Sequence, residues 1–129
     1  MSQGDIRIHD DVIKSIVGKC ALELPGIHSL SGTVVQSLIK WGSQPETRGI
    51  TVETRESENS TRLELRVVVQ SGFPIPTVAE NLQRSVKEMV EKMTGLEVTA
   101  VDIYVDDIRD KEVKEPGDLE EQDAIRSEP

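Results

Sequence analysis

Residues 72–105, GFPIPTVAENLQRSVKEMVEKMTGLEVTAVDIYV, carry the strongest structural pattern in the chain. Pro74 and Pro76 make a stiff elbow, because each proline fixes its own φ and disfavours helical geometry in the residue before it. Thr77 and Glu80 then have the spacing of a capping box, in which each side chain accepts a hydrogen bond from the backbone N–H of the other residue. This pattern predicts a long helix that begins at Thr77.

The apolar residues after this elbow recur every three or four positions, which is the spacing of one helical face. They are Val78, Ala79, Leu82, Val86, Met89, Val90 and Met93. Gly95 is placed to end the helix, and we expect the two methionines to fill gaps in the core. Val101, Ile103 and Val105 then alternate with polar residues, which predicts a closing strand.

Upstream of this unit, the N-terminal residues predict a strand followed by a helix. Residues 5–9 alternate polar and apolar side chains with the period of a half-buried strand. Asp10 or Asp11 can cap the next helix, and Pro25 with Gly26 ends it. The apolar stripe of this helix consists of Val12, Ile13, Ile16, Val17, Cys20, Ala21 and Leu24.

The middle of the chain predicts two further strands. Residues 50–53 and 63–70 alternate apolar and polar side chains on either side of a polar loop at 56–61. The pattern is weaker over 28–49, where one short helical face could form. Its members are Val34, Val35, Leu38 and Trp41.

This order of elements predicts the fold class. Strand, helix, strand, strand, helix and strand make a β-α-β-β-α-β order, which is typical of an α+β fold. We therefore expect a two-layer sandwich with a mainly antiparallel sheet and both helices on one face. Residues 1–108 are predicted to form this domain, and residues 109–129 an acidic, disordered tail. From Asp106 onward, ten Asp or Glu residues face four Lys or Arg residues, a net charge of −6.

The second face of the predicted sheet is the candidate interaction surface. Its polar positions carry charges of both signs, which can pair across neighbouring strands or contact a partner. Its predicted residues are Arg7, His9, Glu53, Arg55, Glu64, Arg66, Val68, Gln70, Asp102 and Tyr104. The interaction residues that we predict are Arg7, Arg66, Tyr104 and, from the weakly patterned segment, Trp41.

Composition disfavours several classes of function. A formal net charge of −9 and a single residue each of Phe, Trp and Tyr argue against nucleic-acid binding. His9 and His28 lack companions of catalytic type, Cys20 is the only cysteine, and no glycine-rich phosphate loop is present. We therefore predict no catalytic, cofactor-binding or metal-binding residue. Without a long apolar stretch or a signal peptide, the expected location is the cytoplasm.

Several short stretches occur together in a recognisable order over residues 5–108. They are Ile6-Arg7-Ile8, Asp11-Val12-Ile13, Leu24-Pro25-Gly26-Ile27, Leu30-Ser31-Gly32, Gly49-Ile50-Thr51-Val52-Glu53, the elbow at 72–76, Met93-Thr94-Gly95-Leu96 and Val101-Asp102-Ile103. In this order the chain resembles the alkaline-shock protein family of bacterial envelope stress response proteins. The resemblance implies a cytoplasmic protein that is tied to alkaline or envelope stress, reaches the membrane through a partner and has no established catalytic residues.

Three functional hypotheses follow from these observations. The leading one is a non-enzymatic scaffold or adaptor that self-associates or docks on a protein partner, such as a small membrane-anchored protein. The alternative is a regulatory module that responds to pH or a small ligand through His9 and His28. A third, a carboxylate enzyme, would require a pocket that encloses paired Asp or Glu residues.

Overall fold

The computed structural model describes residues 3–31 and 48–110, which contain two long helices and four strands. In chain order these elements are α1 (Asp10–Leu22), β1 (Ile27–Leu30), β2 (Ile50–Arg55), β3 (Ser60–Gln70), α2 (Ile75–Thr94) and β4 (Glu97–Arg109). A short 3-10 turn, Glu56–Glu58, connects β2 to β3. The helix that the sequence suggests around Val34 and Trp41 lies outside the described residues.

The four strands form one sheet with β3 at its centre. β4 runs parallel to β3 from Ser60 to Gln70, and α2 is the crossover that parallel pairing requires. β2 and β1 both pair antiparallel with β3, β2 along its first half and β1 near Val67 to Val69. Because β4 occupies one edge of β3 along its whole length, β1 and β2 share the other edge end to end.

Both helices pack against one face of this sheet, and aliphatic side chains fill the space between the layers. α2 buries every fourth residue of its inner stripe: Val78, Leu82, Val86 and Val90. α1 contributes Ile13, Val17 and Ala21 at the same spacing, and β3 contributes alternate residues of its inner face. Burial of each large aliphatic side chain contributes about 1.5–3 kcal/mol. The predicted α+β class, with its helices packed on a mainly antiparallel sheet, is confirmed.

The predicted first strand is wrong, because residues 5–9 form no strand and Ile6 is 91% exposed. A strand needs a hydrogen-bonded neighbour, and in the described sheet both edges of β3 are already paired. The missing strand is instead β1, whose four residues are too few to show a clear alternation. The observed order is therefore α-β-β-β-α-β.

Helix and strand starts also differ from the prediction. His9 caps α1, since its Nδ1 accepts a hydrogen bond from the Asp11 backbone N–H at 3.0 Å. α2 begins at Ile75 rather than Thr77, because Pro76 lies in the first turn, where a helix does not need its missing N–H. β3 begins at Ser60, so the polar loop is shorter than the sequence suggests.

Candidate interaction surface

The sheet face opposite the helices carries paired charges from the two long strands. Arg62 of β3 donates a hydrogen bond to Asp102 of β4. Four residues further along both strands, Arg66 donates from Nε and Nη2 to the two carboxylate oxygens of Asp106, at 3.0 and 2.9 Å. Such a bidentate pair fixes the orientation of both side chains.

Ser31 adds a third side chain to the second of these pairs. Its Oγ donates to Asp106 Oδ2 at 2.6 Å. The backbone positions it, because the Ser31 N–H donates to the Arg66 carbonyl at 2.9 Å while the Arg66 N–H donates to the Gly49 carbonyl at 3.0 Å. A Cβ at Gly49, which has φ +76°, would lie only 2.2 Å from the Ser31 carbonyl oxygen. The end of β1 and the start of β2 therefore meet at Arg66.

These contacts keep the Asp106 side chain in its charged form. The hydrogen bond from Ser31 is the largest cause that lowers the pKa of Asp106, followed by the hydrogen bond and the positive charge of Arg66. Partial desolvation opposes them but does not prevail. The carboxylate therefore remains an acceptor on this face down to a lower pH than an aspartate without these contacts.

Tyr104 completes the group beside Arg66. The guanidinium carbon of Arg66 lies 5.0 Å from the centre of the Tyr104 ring, which is within the range of a cation–π contact. Tyr104 remains 44% exposed, so the ring is held in place without being covered. Ser31, Arg66, Tyr104 and Asp106 are called the Arg66 cluster below.

The four predicted interaction residues do not form one surface. Arg66 and Tyr104 lie together, whereas Arg7 lies at the β2–β3 turn, where its Nη1 is 3.3 Å from Glu56. That turn precedes Ser60, six residues before Arg66, a span of about 20 Å along a strand. Arg7 lines a separate open groove of about 460 Å³. Trp41 lies outside the described residues. The interaction roles of all four stay predictions.

Sequence reasoning missed the partners that give this face its geometry. Asp106 was placed at the end of the closing strand and counted with the acidic run, but it was left out of the open-face residues, and Ser31 and Arg62 were not singled out as interaction residues. A usable signal existed in the spacing of the charges. Arg62 and Arg66 are four residues apart on one strand, as are Asp102 and Asp106 on its neighbour. Equal even spacing places both pairs on one face.

A second apolar surface lies between the outer sides of α1 and α2. A groove of about 290 Å³ is lined there by Val12, Ile16, Cys20, Met89 and Met93 together with three polar residues. The two methionines are 38% and 59% exposed, so their predicted place in the core is wrong. The stripe that ends at Val90 already fills the space above the sheet. Burial, with a smaller effect of the Glu23 charge, raises the pKa of the Cys20 thiol.

Neither a metal cluster nor a spanning helix is found in the part of the chain that the structure describes. No group of three or more His, Cys, Asp or Glu side chains is arranged to hold a metal ion within residues 3–31 and 48–110. Neither α1 nor α2 is long and apolar enough to cross a membrane. His9 caps α1 and His28 lies on β1, where its Nδ1 is 3.0 Å from Ser29 Oγ. The regulatory role suggested for these histidines stays a prediction.

Comparison with known proteins identifies the family. The model of the alkaline shock protein 23 family, described as having a cell envelope-related function, matches residues 1–110. The chain belongs to this family. The resemblance seen in the sequence is thereby confirmed.

Individual relatives support the assignment. The protein YloU of Bacillus subtilis is 31% identical over 112 residues, which cover 82% of this chain and 89% of YloU. Spy1535 of Streptococcus pyogenes is 29% identical over 88% of this chain and 85% of its own length. A stress response regulator gls24 homolog from the same species is 26% identical over 95% of this chain and 69% of its own length.

A likeness to solved structures is much weaker. The MamM C-terminal domain in a manganese form aligns with a TM-score of 0.47 and 9% identity, over 77% of this chain and 99% of that domain. Similarity at that level supports no argument about function. The sequence relatives place the family in stress response and the cell envelope, and their names refer to no enzymatic reaction.

Proposed function

We propose that the protein is a non-enzymatic adaptor of the bacterial envelope stress response, which binds a protein partner through the open face of its sheet. The observation that carries this proposal is the Arg66 cluster. A guanidinium held by hydrogen bonds, a half-exposed aromatic ring and a charged carboxylate lie side by side on the paired strands β3 and β4. Arg and Tyr are also the residue types that most often dominate binding energy at protein interfaces.

Preorganisation is the physical advantage of this arrangement. A flexible arginine loses rotamer entropy when a partner immobilises it, at a cost of about 0.5–1.5 kcal/mol for each such side chain. In the cluster, Asp106 and Tyr104 already hold Arg66 in the free protein. The face can therefore bind without first ordering its central residue. Support for an envelope role comes separately, from membership of the family.

The proposal places residues 1–108 as the binding domain and residues 109–129 as an acidic tail. It locates the protein in the cytoplasm, close to the membrane through a membrane-anchored partner. The mixed charge of the open face suits a protein surface rather than a nucleic acid, because a phosphate backbone would be repelled by a net charge of −9.

Site-specific photocrosslinking in living cells tests the adaptor role. A photoreactive phenylalanine analogue replaces Tyr104, and in a matched strain it replaces Glu88, which is exposed on α2 in the other layer. Under alkaline stress we expect position 104 to capture one discrete protein that mass spectrometry identifies as envelope-associated. Position 88 should capture little.

Loss of binding and loss of folding are separated by a second variant. Arg66→Ala should remove the crosslink from position 104 while circular dichroism and the thermal midpoint change little, because partly exposed ion pairs contribute only about 0–1 kcal/mol. Equal crosslinking from positions 104 and 88, or an unchanged crosslink in the Arg66→Ala background, would contradict the proposal.

A further inference from the structure

The outer edge of β4 is closed along its first residues by side chains of α2. The Val98 N–H donates to Glu91 Oε2 at 2.9 Å, and the Val98 carbonyl accepts from Lys87 Nζ at 3.3 Å. The Val101 carbonyl accepts from Gln83 Nε2 at 3.0 Å. These three helix residues are four apart, so one stripe of α2 satisfies edge groups that a neighbouring strand would otherwise bind.

The alternation of backbone groups along β4 determines which residues after Val101 direct their N–H and C=O groups to the outer edge. Successive residues of a strand direct their N–H and C=O groups to opposite sides, so Ile103 and Val105 point the way that Val101 does. At the far end, the Ile108 N–H donates to Asp107 Oδ1 at 2.8 Å, and Arg109 accepts from Ser71 on the β3 side. Within the described residues, no hydrogen bond reaches the outward groups of residues 103 and 105. An open window therefore lies between two closed segments.

Side-chain burial also decreases where the closed part of the β4 edge ends and the open window begins. On the helix-facing side of β4, Val98 and Val101 are only 4% and 9% exposed. Ile103 and Val105 are half-buried, and Ile108 is 47% exposed. The helix layer therefore covers the start of β4 and leaves apolar surface beside the open window. A strand added there would bury that surface and satisfy the backbone groups together.

Charge determines the kind of strand that fits. Asp102 and Asp106 on the open face are already paired with Arg62 and Arg66, so the charge that decides between occupants is that of the chain as a whole, a formal net charge of −9. A second copy of this chain would bring the same negative charge to the edge. A segment with basic residues would be attracted to it instead.

We propose that the backbone groups of Ile103 and Val105 on the β4 edge pair with an extended segment of a partner protein that alternates apolar and basic residues. Its apolar side chains cover Ile103, Val105 and Ile108, and its basic side chains lie on the open face near Tyr104. This inference rests on the proposed adaptor function and names the type of segment that the adaptor binds.

Amide hydrogen exchange of the full chain, followed by NMR, tests this pairing directly. The probe is an acetylated and amidated heptapeptide of alternating lysine and valine. With this peptide we expect exchange at the Ile103 and Val105 amides to slow by at least about tenfold, because both N–H groups gain a hydrogen-bonded partner. The Val98 amide, already bonded to Glu91, serves as the internal control and should not change.

Two altered peptides separate the chemical contributions. Replacement of the lysines by glutamate should abolish the protection because of charge repulsion, and N-methylation at the valines should abolish it by removing backbone donors. The inference is wrong if the lysine peptide does not slow exchange at the two amides, or if the glutamate peptide slows it equally. Protection that rises with protein concentration alone would also overturn it and would identify a second copy as the occupant.

The outcome is distinguishable from failure of the adaptor function itself. If the edge stays unprotected while position 104 still captures its protein, the adaptor role stands and only the strand pairing is wrong. If both measurements are negative, the proposed function fails as well.

Discussion

The two faces of the sheet differ in what holds their side chains in place. On the covered face, Leu63, Leu65 and Val69 are fully buried among aliphatic neighbours. On the open face, the side chains of Arg66 and Asp106 remain 43% and 29% exposed and are held by charge and hydrogen bonds. Different forces therefore hold the side chains of the two faces in place. Burial of aliphatic side chains stabilises the covered face, and ion pairs and hydrogen bonds order the polar side chains of the open face.

The largest expected effect comes from the covered face. Leu82→Ala should lower the free energy of unfolding by about 2–5 kcal/mol, because the lost side chain leaves a cavity under α2. Urea denaturation measures this value. Met93→Ala, a change at a residue that is 59% exposed on the same helix, should alter it by only about 0.5 kcal/mol. Similar losses for the two variants would break the distinction between the buried stripe and the groove.

The junction between the two antiparallel partners of β3 should give the next largest effect. Gly49→Ala imposes a side chain at φ +76° and a contact with the Ser31 carbonyl oxygen. We expect a loss of about 1–3 kcal/mol in denaturation experiments. Gly72→Ala, which has φ +97° with open space around it, is the matched control for backbone strain. If both variants lose the same stability, close approach at Ser31 has no energetic role.

On the open face, a substitution should change the pH at which Asp106 titrates rather than unfold the protein. Ser31→Ala removes the largest cause of the low pKa of Asp106, so that pKa should rise toward its ordinary value. NMR titration of the side-chain carboxyl carbon measures this shift. Because the folded-state pKa is depressed, the stabilisation by Asp106 is present above the unfolded pKa of about 3.9 and is lost as pH falls through the lower folded value. Ser71→Ala, at an exposed serine outside the cluster, should leave the titration unchanged.

The smallest expected effect is local and concerns the closed part of the β4 edge. Glu91→Ala removes the acceptor of the Val98 N–H, so exchange at that amide should become severalfold faster without a change in the global unfolding midpoint. The hydrogen bond from Lys87 and then that from Val98 lower the pKa of Glu91. The protection in the wild type should therefore persist to moderately acid pH. Glu88→Ala is the control, and equal acceleration there would argue against edge closure by α2.

Much of the fold was predictable because its signals are local. The apolar stripe that contains Leu82 and Val86 repeats with the helical period over about three and a half turns, from Val78 to Val90. The alternation in β3 and β4 likewise predicts strands. The first strand was mistaken because residues 5–9 have the right pattern but pair with none of the four strands, and pairing is a long-range property. β1 was missed because four residues carry too little pattern.

Only part of the candidate surface could be predicted, because some of its contacts also join segments that lie far apart in the chain. Arg66 and Tyr104 were found because alternation places them on the open side of the sheet. Ser31 was not, since it reaches Asp106 across β3 from a distance of 75 positions in the sequence. Arg7 was placed on this face by a strand that does not form.

By itself, the sequence determined the two amphipathic helices, the long strands and the family, because periodicity and ordered motifs are written along the chain. Only the tertiary structure decided which strand lies beside which, that β4 runs parallel to β3, and that Ser31, Arg66, Tyr104 and Asp106 meet. These features depend on register between segments far apart in the chain. Register follows from the burial and hydrogen bonding of the whole sheet together, and no local pattern encodes it.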